Sequence, residues 1–381
     1  MAEVYSLKRL LLYFLRLGTT GFGGPIALVG YMEKDLVEDL AWISREEYLR
    51  GLALSQLAPG PLAAQLAMYI GYVRNGIAGA TIVGLAFVMP SFLMVVLLGA
   101  VYSAYGGLDW MQSVFYGIGA GVIGIIVKSA YKLARVTLKA EKLLWGIFSV
   151  MCVVTAWTQQ EIVWLFFMCG AVSLFVLAPP ESLLRRAHVV MPPLLIGLVQ
   201  LPSLVHAPDL ASIFLFFAKA GSFVFGSGLA IVPFMYGSVV QNFHWLTERQ
   251  FLDAVAVAMI TPGPVVITVG FIGFIVHGLP GAIAAALGVF LPVYLCVILL
   301  TPVYERFAHN PQVGAFIRGV TAAASGAIAG AVFVLGRRAI IDWPTGLIAI
   351  IALAILIRWR IPEPVIVIAA GFAGLILFRF K

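Results

Sequence analysis

Two stretches of this chain, MITPGPVVITVGF (259–271) and LAPGPLAAQLAMY (57–69), are apolar runs broken in the same way, by two prolines around one glycine. Proline stops an incoming helix, and glycine turns the chain through conformations closed to other residues. The second proline suits the first turn of a new helix, where its missing N–H costs nothing. A break of that kind inside a long apolar run asks what solvent surrounds it.

Composition answers. Of 381 residues, 62% are hydrophobic and 11% charged, with a mean hydropathy of +1.04. No soluble domain hides that much apolar surface, so the chain is a polytopic membrane protein. The net charge of +7 would suggest nucleic acid in a soluble protein. Here it fits cationic cytoplasmic loops beside anionic lipid, and no nucleic-acid partner is expected. The N-terminal MAEVYSLKRLLLYFLRLGTTGFGG starts like a signal peptide, but Arg16 interrupts it and no small-residue cleavage site follows, so it reads as retained. Cys152, Cys169 and Cys296 stand singly in apolar segments and imply neither disulfides nor metal.

Lipid demands a backbone satisfied internally, and no alternating barrel pattern is present, so the predicted fold is all-α. Apolar stretches cover 77–105, 110–134, 143–157, 162–178, 189–205, 281–303, 313–335, 344–357 and 364–378. Each is near the ~20 residues a span needs. Segments 5–32, 44–75, 209–240 and 247–278 are irregular, as broken or re-entrant helices would be.

Internal repetition sets the organisation. Displaced by 203 positions, Gly18, Phe22, Gly23, Ala27, Met32, Trp42 and Pro59-Gly60-Pro61 fall on Gly221, Phe225, Gly226, Ala230, Met235, Trp245 and Pro262-Gly263-Pro264. After a one-residue slip, Gly71, Gly76, Gly79, Pro90 and Gly117 fall on Gly273, Gly278, Gly281, Pro292 and Gly319. The chain is two copies of one unit, over 1–180 and 209–381. Residues 181–208 join them and contain one unmatched apolar segment, 189–205.

The basic regions Lys128–Lys142 and Arg185-Arg186 belong in the cytoplasm by the positive-inside rule. The N-terminus is then cytoplasmic if segments 5–32 and 44–75 both cross or both re-enter. Thirteen elements result, six per copy plus the joining segment. If 189–205 crosses, the second copy is inverted, as in many secondary transporters, and Lys381 is external. A parallel arrangement is the alternative.

Around the breaks, TGFGGP (20–25) matches VFGSG (224–228). The amides after Pro61, at Leu62, Ala63 and Ala64, lack intrahelical partners, and their dipole end favours an anion. A single break of this kind would read as a proline kink; two matched ones, each with a matched glycine break, favour a site. Arg16 and Lys219 are equivalent, ten residues into their segments. That is ~15 Å at ~1.5 Å per residue, about half the ~30 Å hydrocarbon core. A cation there calls for a partner or a cavity, with snorkelling as the plainer reading. The candidate anion-binding set is therefore Arg16, Gly23, Gly24, Gln56, Gly60, Pro61, Gln65, Lys219, Gly226, Ser227, Thr261, Gly263, Pro264 and Thr268.

Other signals are weaker. GAGVIG (119–124) fits helix packing better than a dinucleotide loop, and no Walker A sequence occurs. The histidines show neither metal-ligand spacing nor a triad. Glu33, Asp35, Glu38 and Asp39 read as a solvated face, with proton coupling as the alternative. No cofactor and no metal is expected. A membrane-embedded enzyme would need a convergent acid, base or nucleophile set within the spans, and none is found. A structural membrane protein remains the other competing class.

These residues resemble a known family. FGGPIALVGYMEKDLVEDLAWIS (22–44) with SQLAPGPLAAQLAMYIGY (55–72) is similar to the first-half signature of the chromate ion transporter family. FGSGLAIVPFM (225–235), WLTERQFLDAVAVAMITPGPVVITVGFIGF (245–274) and GVFLP (288–292) are similar to the second. The resemblance implies the long-chain, two-domain type: a bacterial plasma-membrane carrier with oppositely oriented halves. Its implied substrate is a small oxyanion, chromate or sulfate, with chromate export giving resistance. Other small anions stay open, and a homodimer is compatible. Family members often carry His or Gln where Leu28 stands, and Gly-Gln where Ala258-Met259 stand.

Overall fold

The structure, a computed structural model, describes residues 6–22, 24–105, 109–138, 141–158, 163–179, 209–223, 235–304, 310–359 and 361–377. The joining segment 189–205 lies outside them. In the first copy, α1 (Leu7–Thr20) is followed by α2 (Gly24–Met32), which runs into a π-helical turn (Glu33–Asp39). Then come α3 (Arg45–Leu57), α4 (Leu62–Tyr105), α5 (Asp109–Leu138), α6 (Lys142–Thr158) and α7 (Val163–Leu177). The second copy has α8 (Leu210–Phe223), a π turn (Tyr236–Asn242), α9 (Glu248–Ile260), α10 (Thr268–Leu300), α11 (Pro311–Ala339), α12 (Trp343–Arg358) and α13 (Glu363–Leu377). The all-helical, duplicated reading stands.

The duplication reaches single hydrogen bonds. Ser6 accepts the Arg9 amide at the start of α1, and its equivalent Asp209 accepts the Ser212 amide at the start of α8. Ser44 caps α3 as Thr247 caps α9. Ala41 and His244, also equivalent, take φ of 48° and 54°, uncommon for any residue but glycine. Chance does not duplicate an unfavourable backbone conformation at matched positions.

The irregular segments 5–32, 44–75 and 247–278 are re-entrant hairpins. Within α4 the chain reverses at Asn75-Gly76, and within α10 at His277-Gly278. Gly76 and Gly278 take φ of +57° and +60°, which glycine adopts without steric cost. Either side of each reversal the backbones touch, Gly71 on Gly79 and Gly273 on Gly281, where any side chain would hold them apart. Thus α4 is a short arm (62–74) and a long arm (77–105). The long arm, 29 residues, measures about 43 Å at ~1.5 Å per residue and is the true crossing. The short arm packs back on α3, Tyr69 and Leu66 meeting Gly51, so that chain enters along α3 and returns on the same side. Segment 5–32 does likewise: Tyr13 of α1 bonds Asp35 of the π turn while Leu28 packs on Gly21. Of the two alternatives for these segments, both re-enter.

Equivalent helices run in opposite directions. On α5 and α11, Ile123 packs on Gly336 and Ala130 clusters with Ile328, an antiparallel order. Thr81 near the start of one long arm meets Tyr294 near the end of the other, at 2.7 Å. The two copies are therefore related by a pseudo-two-fold axis across the helices, the inverted arrangement. They also exchange partners. α5 lies on α12 and α13 through Gly117, Gly121 and Gly124, while α11 lies on α6 and α7 through Gly319, Gly326 and Gly330. Small residues let these backbones close up where lipid supplies no hydrophobic drive between helices.

Outward faces are apolar. Leu85, Leu93 and Leu97 line one long arm, and Ile283, Leu287 and Leu291 the other, all exposed. Such stripes are untenable in water and natural in lipid.

Candidate functional site

The two Pro-Gly-Pro tips lie at mid-depth. Short arms of about 13 residues end ~20 Å from their surface turns, near the centre of the ~30 Å core. The tip Pro262-Gly263-Pro264 is seated against the middle of the other copy's long arm, at Ser91, and against the α1 tip. The Gly263 amide donates to the Gly21 carbonyl at 2.8 Å. Ser91 Oγ donates to the Gly18 carbonyl at 3.2 Å. The tip Pro59-Gly60-Pro61 is seated against Val293, which is the equivalent of Ser91. Each copy's turn is thus held by the other copy, a relation that the matched motifs alone did not disclose.

Gly60 and Gly263 adopt φ of +140° and +92°. A Cβ at Gly263 would run into Ser91 Oγ; at Gly60 it would lie 2.8 Å from Gln65 Nε2 and 2.9 Å from Val293 Cγ1. Pro59–Pro61 and Pro262–Pro264 are all buried.

Hydrogen-bond donors at the tips are mostly backbone. Gln65 N bonds Pro61 O, so α4 closes its first turn there and Leu62, Ala63 and Ala64 offer amides without intrahelical partners. At the other tip Ile267 N bonds Pro264 O, closing a 3₁₀ turn (Val265–Ile267) and leaving the amides of Val265 and Val266. The side chains offer less. Gln65, fully buried, spends its amide group on the carbonyls of Ala58 (3.2 Å) and Pro59 (2.8 Å), tying α3 to α4 across the break. Its Oε1 has no partner, so the free valence of Gln65 accepts rather than donates. Thr261 donates to Val257 O and Thr268 to Val265 O.

The remaining sequence candidates are spread more widely. Arg16 sits on the exposed face of α1 with Leu12 and Leu15; two residues from Gly18 is ~200° of helix turn, so it projects away from the tip contact. Lys219, its equivalent, is half-buried on α8. Gln56 is exposed near the end of α3, and Gly24 begins α2. Gly23, Gly226 and Ser227 lie outside the described residues. The structure therefore brings Gly60, Pro61, Gln65, Thr261, Gly263, Pro264 and Thr268 to the two tips, and leaves Arg16, Lys219 and Gln56 around them.

Sequence reasoning missed Ser91 and Asp253. Ser91 follows Pro90 at a position where the other copy has Val293 after Pro292, and that broken match was the available signal. Asp253 is 5% exposed and accepts a 2.7 Å hydrogen bond from the Tyr102 hydroxyl. Its equivalent is Arg50, a charge reversal that alignment of the copies displays.

Comparison with known proteins agrees with this architecture. The family model described as Chromate transporter matches residues 8–174 and again 211–375, one match per copy. A chromate transport protein of Cupriavidus metallidurans is 56% identical over 382 residues, covering 99% of this chain and 94% of that protein. A probable chromate transport protein of Synechococcus elongatus is 54% identical, covering 98% and 96%. One from Pseudomonas aeruginosa is 29% identical, covering 98% and 93%. No solved structure matches the chain. Two family matches in tandem, the inverted duplication and near-complete coverage of these relatives place the chain in the chromate transporter family, as a two-domain, membrane-embedded transporter and not an enzyme.

Proposed function

We propose that this chain carries a tetrahedral oxyanion, chromate or the isosteric sulfate, across the bacterial plasma membrane, with export of chromate as the outcome for the cell. The anion binds at mid-depth between the two hairpin tips. One observation carries the reading: two matched Pro-Gly-Pro turns, buried, each seated on the middle of the opposite copy's long arm. Each turn starts a helix with free amides, and helix starts favour negative charge. An inverted pair presents one such start from each side of the bilayer to a shared centre. Arg16 and Lys219 serve by drawing the anion toward the tips. Gln65, with only an acceptor free, accepts a hydrogen bond from a hydrogen-bearing anion or from a water.

The test is uptake of labelled chromate by proteoliposomes containing this protein alone, with sulfate and bicarbonate as competitors. Sulfate should compete well and bicarbonate weakly, because a monoanion gains less from the same positive ends. No protein-dependent uptake would remove the reading. Impermeant labelling at residues 3 and 381 tests the orientation. Four crossings per copy plus 189–205 place the two ends on opposite faces, the N-terminus inside, and ends on one face would exclude the inverted topology.

A further inference from the structure

Asp253 belongs to no tip and has no part in anion binding as described. It is the charged residue found buried among the described residues. α9, which carries it, packs against α4, α5, α10 and α13. The equivalent helix α3 packs on α4 and α10, with no comparable seat on α11 and α7 among the described residues. Burial follows suit: Arg50, Leu49 and Gln56 of α3 are exposed, whereas their equivalents Asp253 and Met259 are buried and Leu252 is half-buried. One molecule thus shows two dispositions of one element, seated in the second copy and open in the first.

The seat receives a carboxyl group at a cost. Withdrawal from water disfavours the charged form of a carboxylate, and an unpaired buried charge is among the most expensive groups in a protein. Its surroundings compensate only in part. From α4 comes the Tyr102 hydroxyl, whose ring lies against Phe115 of α5 and Phe271 of α10. From α9 itself comes Arg249, one turn earlier and exposed, whose guanidinium is turned to the Gln112 carbonyl of α5 at 3.4 Å. From α13 no charged group reaches Asp253 among the described residues. On the far side of α9, Tyr236 packs on Phe251, and Glu248 pairs with Arg338, away from Asp253. One neutral donor and one outlying cation do not neutralise a buried carboxylate.

We propose that Asp253 is a proton-binding site linked to the seating of α9: the carboxyl is protonated when α9 is seated and ionised when α9 swings to the open disposition that α3 displays. Closing that end of the transporter takes up one proton at a carboxylate oxygen, and opening it releases one. By linkage, acid favours the seated state and alkali the open one. The two ends then differ in kind, since the equivalent position holds Arg50 and the first copy's helix carries no carboxyl there. The inference rests on the alternating-access part of the transport reading, but its test requires no substrate.

The experiment reads cysteine accessibility in proteoliposomes of the full chain, with Cys152, Cys169 and Cys296 replaced. Met259→Cys reports on α9, and Gln56→Cys, exposed on α3, normalises for thiol chemistry at each pH. Normalised labelling of Met259→Cys should rise on going from acid to alkali by about fivefold or more, the response of a two-state element. Asp253→Asn should keep it low and flat, mimicking the protonated carboxyl. Asp253→Glu should restore the rise, which a purely architectural role would not do. Tyr102→Phe, by removing the donor that favours the ionised form, should shift the rise to higher pH. A rise in Asp253→Asn equal to that of the parent, or labelling independent of pH in the parent, overturns the proposal. Uptake of labelled chromate by the same vesicles reports separately on the transport reading.

Discussion

The two hairpins that end in Pro-Gly-Pro share a backbone and differ in what surrounds them. α3 is capped by Ser44 and α9 by Thr247, both span 13 residues, and both end three residues before a glycine of positive φ. Yet α3 reads REEYLRG where α9 reads ERQFLDA, with charge reversed at three equivalent positions. The first presents its charges to solvent, and the second buries an acid against Tyr102. On the transport reading proposed above, identity of backbone with contrast of setting suits alternating access, in which equivalent gates need not occupy equivalent states. On that reading the inverted duplication would supply two gates, and side-chain divergence would make them separately controllable.

The largest expected effects are at the turns. Gly263→Val and Gly60→Val should reach the membrane and transport poorly, because neither φ accommodates a β-branched residue. Alanine separates the two. At Gly263 its methyl meets Ser91 Oγ and the nearby Gly18 carbonyl, whereas at Gly60 it meets side chains of Gln65 and Val293 that can shift. Gly263→Ala should therefore lower initial-rate chromate uptake by about tenfold or more, and Gly60→Ala by only a few-fold. Ser91→Gly should recover part of the Gly263→Ala loss and none of the Gly60→Ala loss, a coupling expected only for residues in contact. Equal losses without rescue would show that the tips are not seated as described.

Next comes charge around the tips. Arg16→Gln and Lys219→Gln should each weaken chromate uptake several-fold at matched membrane abundance. Arg16→Lys should retain most of the function, because it keeps the charge that draws the anion toward the tips. Lys219→Arg should rank above Lys219→Gln. Because Arg16 is exposed and Lys219 half-buried, Lys219→Gln should have the larger effect and the smaller sensitivity to salt. Unchanged uptake in both glutamine variants would leave these residues as snorkelling anchors and the backbone amides as the whole site.

Much of this was legible in the sequence, for physical reasons. Lipid forces helices, so apolar runs 77–105, 110–134 and 313–335 became the long arm of α4, α5 and α11 within a few residues. Glycine and proline are local punctuation, so matched PGP turns announced both the duplication and the positive φ at Gly60 and Gly263. Non-local facts were hidden. Arg74-Asn75-Gly76 marks a break between Gly71 and Gly79, but nothing there says that the two arms close to backbone contact, because both are equally lipid-compatible. The exchange of α5 and α11 between copies depends on which glycine faces which backbone, and spacing alone cannot reveal it. Side-chain identity also overstated the site: Gln65, Thr261 and Thr268 are polar, but their donors are consumed by neighbouring carbonyls. Spare hydrogen-bonding capacity is a property of the fold.

The smallest expected effect concerns the ion pairs at the hairpin mouths, where the contrast between copies is finest. Arg45 pairs with Glu33 at 3.4 Å in the first copy. The equivalent positions hold Glu248 and Tyr236, joined by a 3.3 Å hydrogen bond, and Arg338 of α11 completes the group by pairing with Glu248 and lying 4.9 Å over the Tyr236 ring. The first pair is open to solvent, its Arg45 side chain 68% exposed, and water screens what Coulomb attraction it has. Arg338 is 24% exposed and adds a cation–π contact to its ion pair. It also comes from a helix outside the hairpin, so it clamps the seated element to the body, whereas Arg45 only links α3 to its own π turn. Arg338→Gln should lower stability to denaturant in detergent by ~1 kcal/mol. Arg45→Gln should change it immeasurably. Arg338→Gln should in addition raise labelling of Met259→Cys at fixed pH, since removing a clamp shifts α9 toward the open disposition. Equal responses to the two substitutions, in stability and in labelling, would mean that the two mouths are held alike and that the asymmetry lies in Asp253 and Arg50 alone.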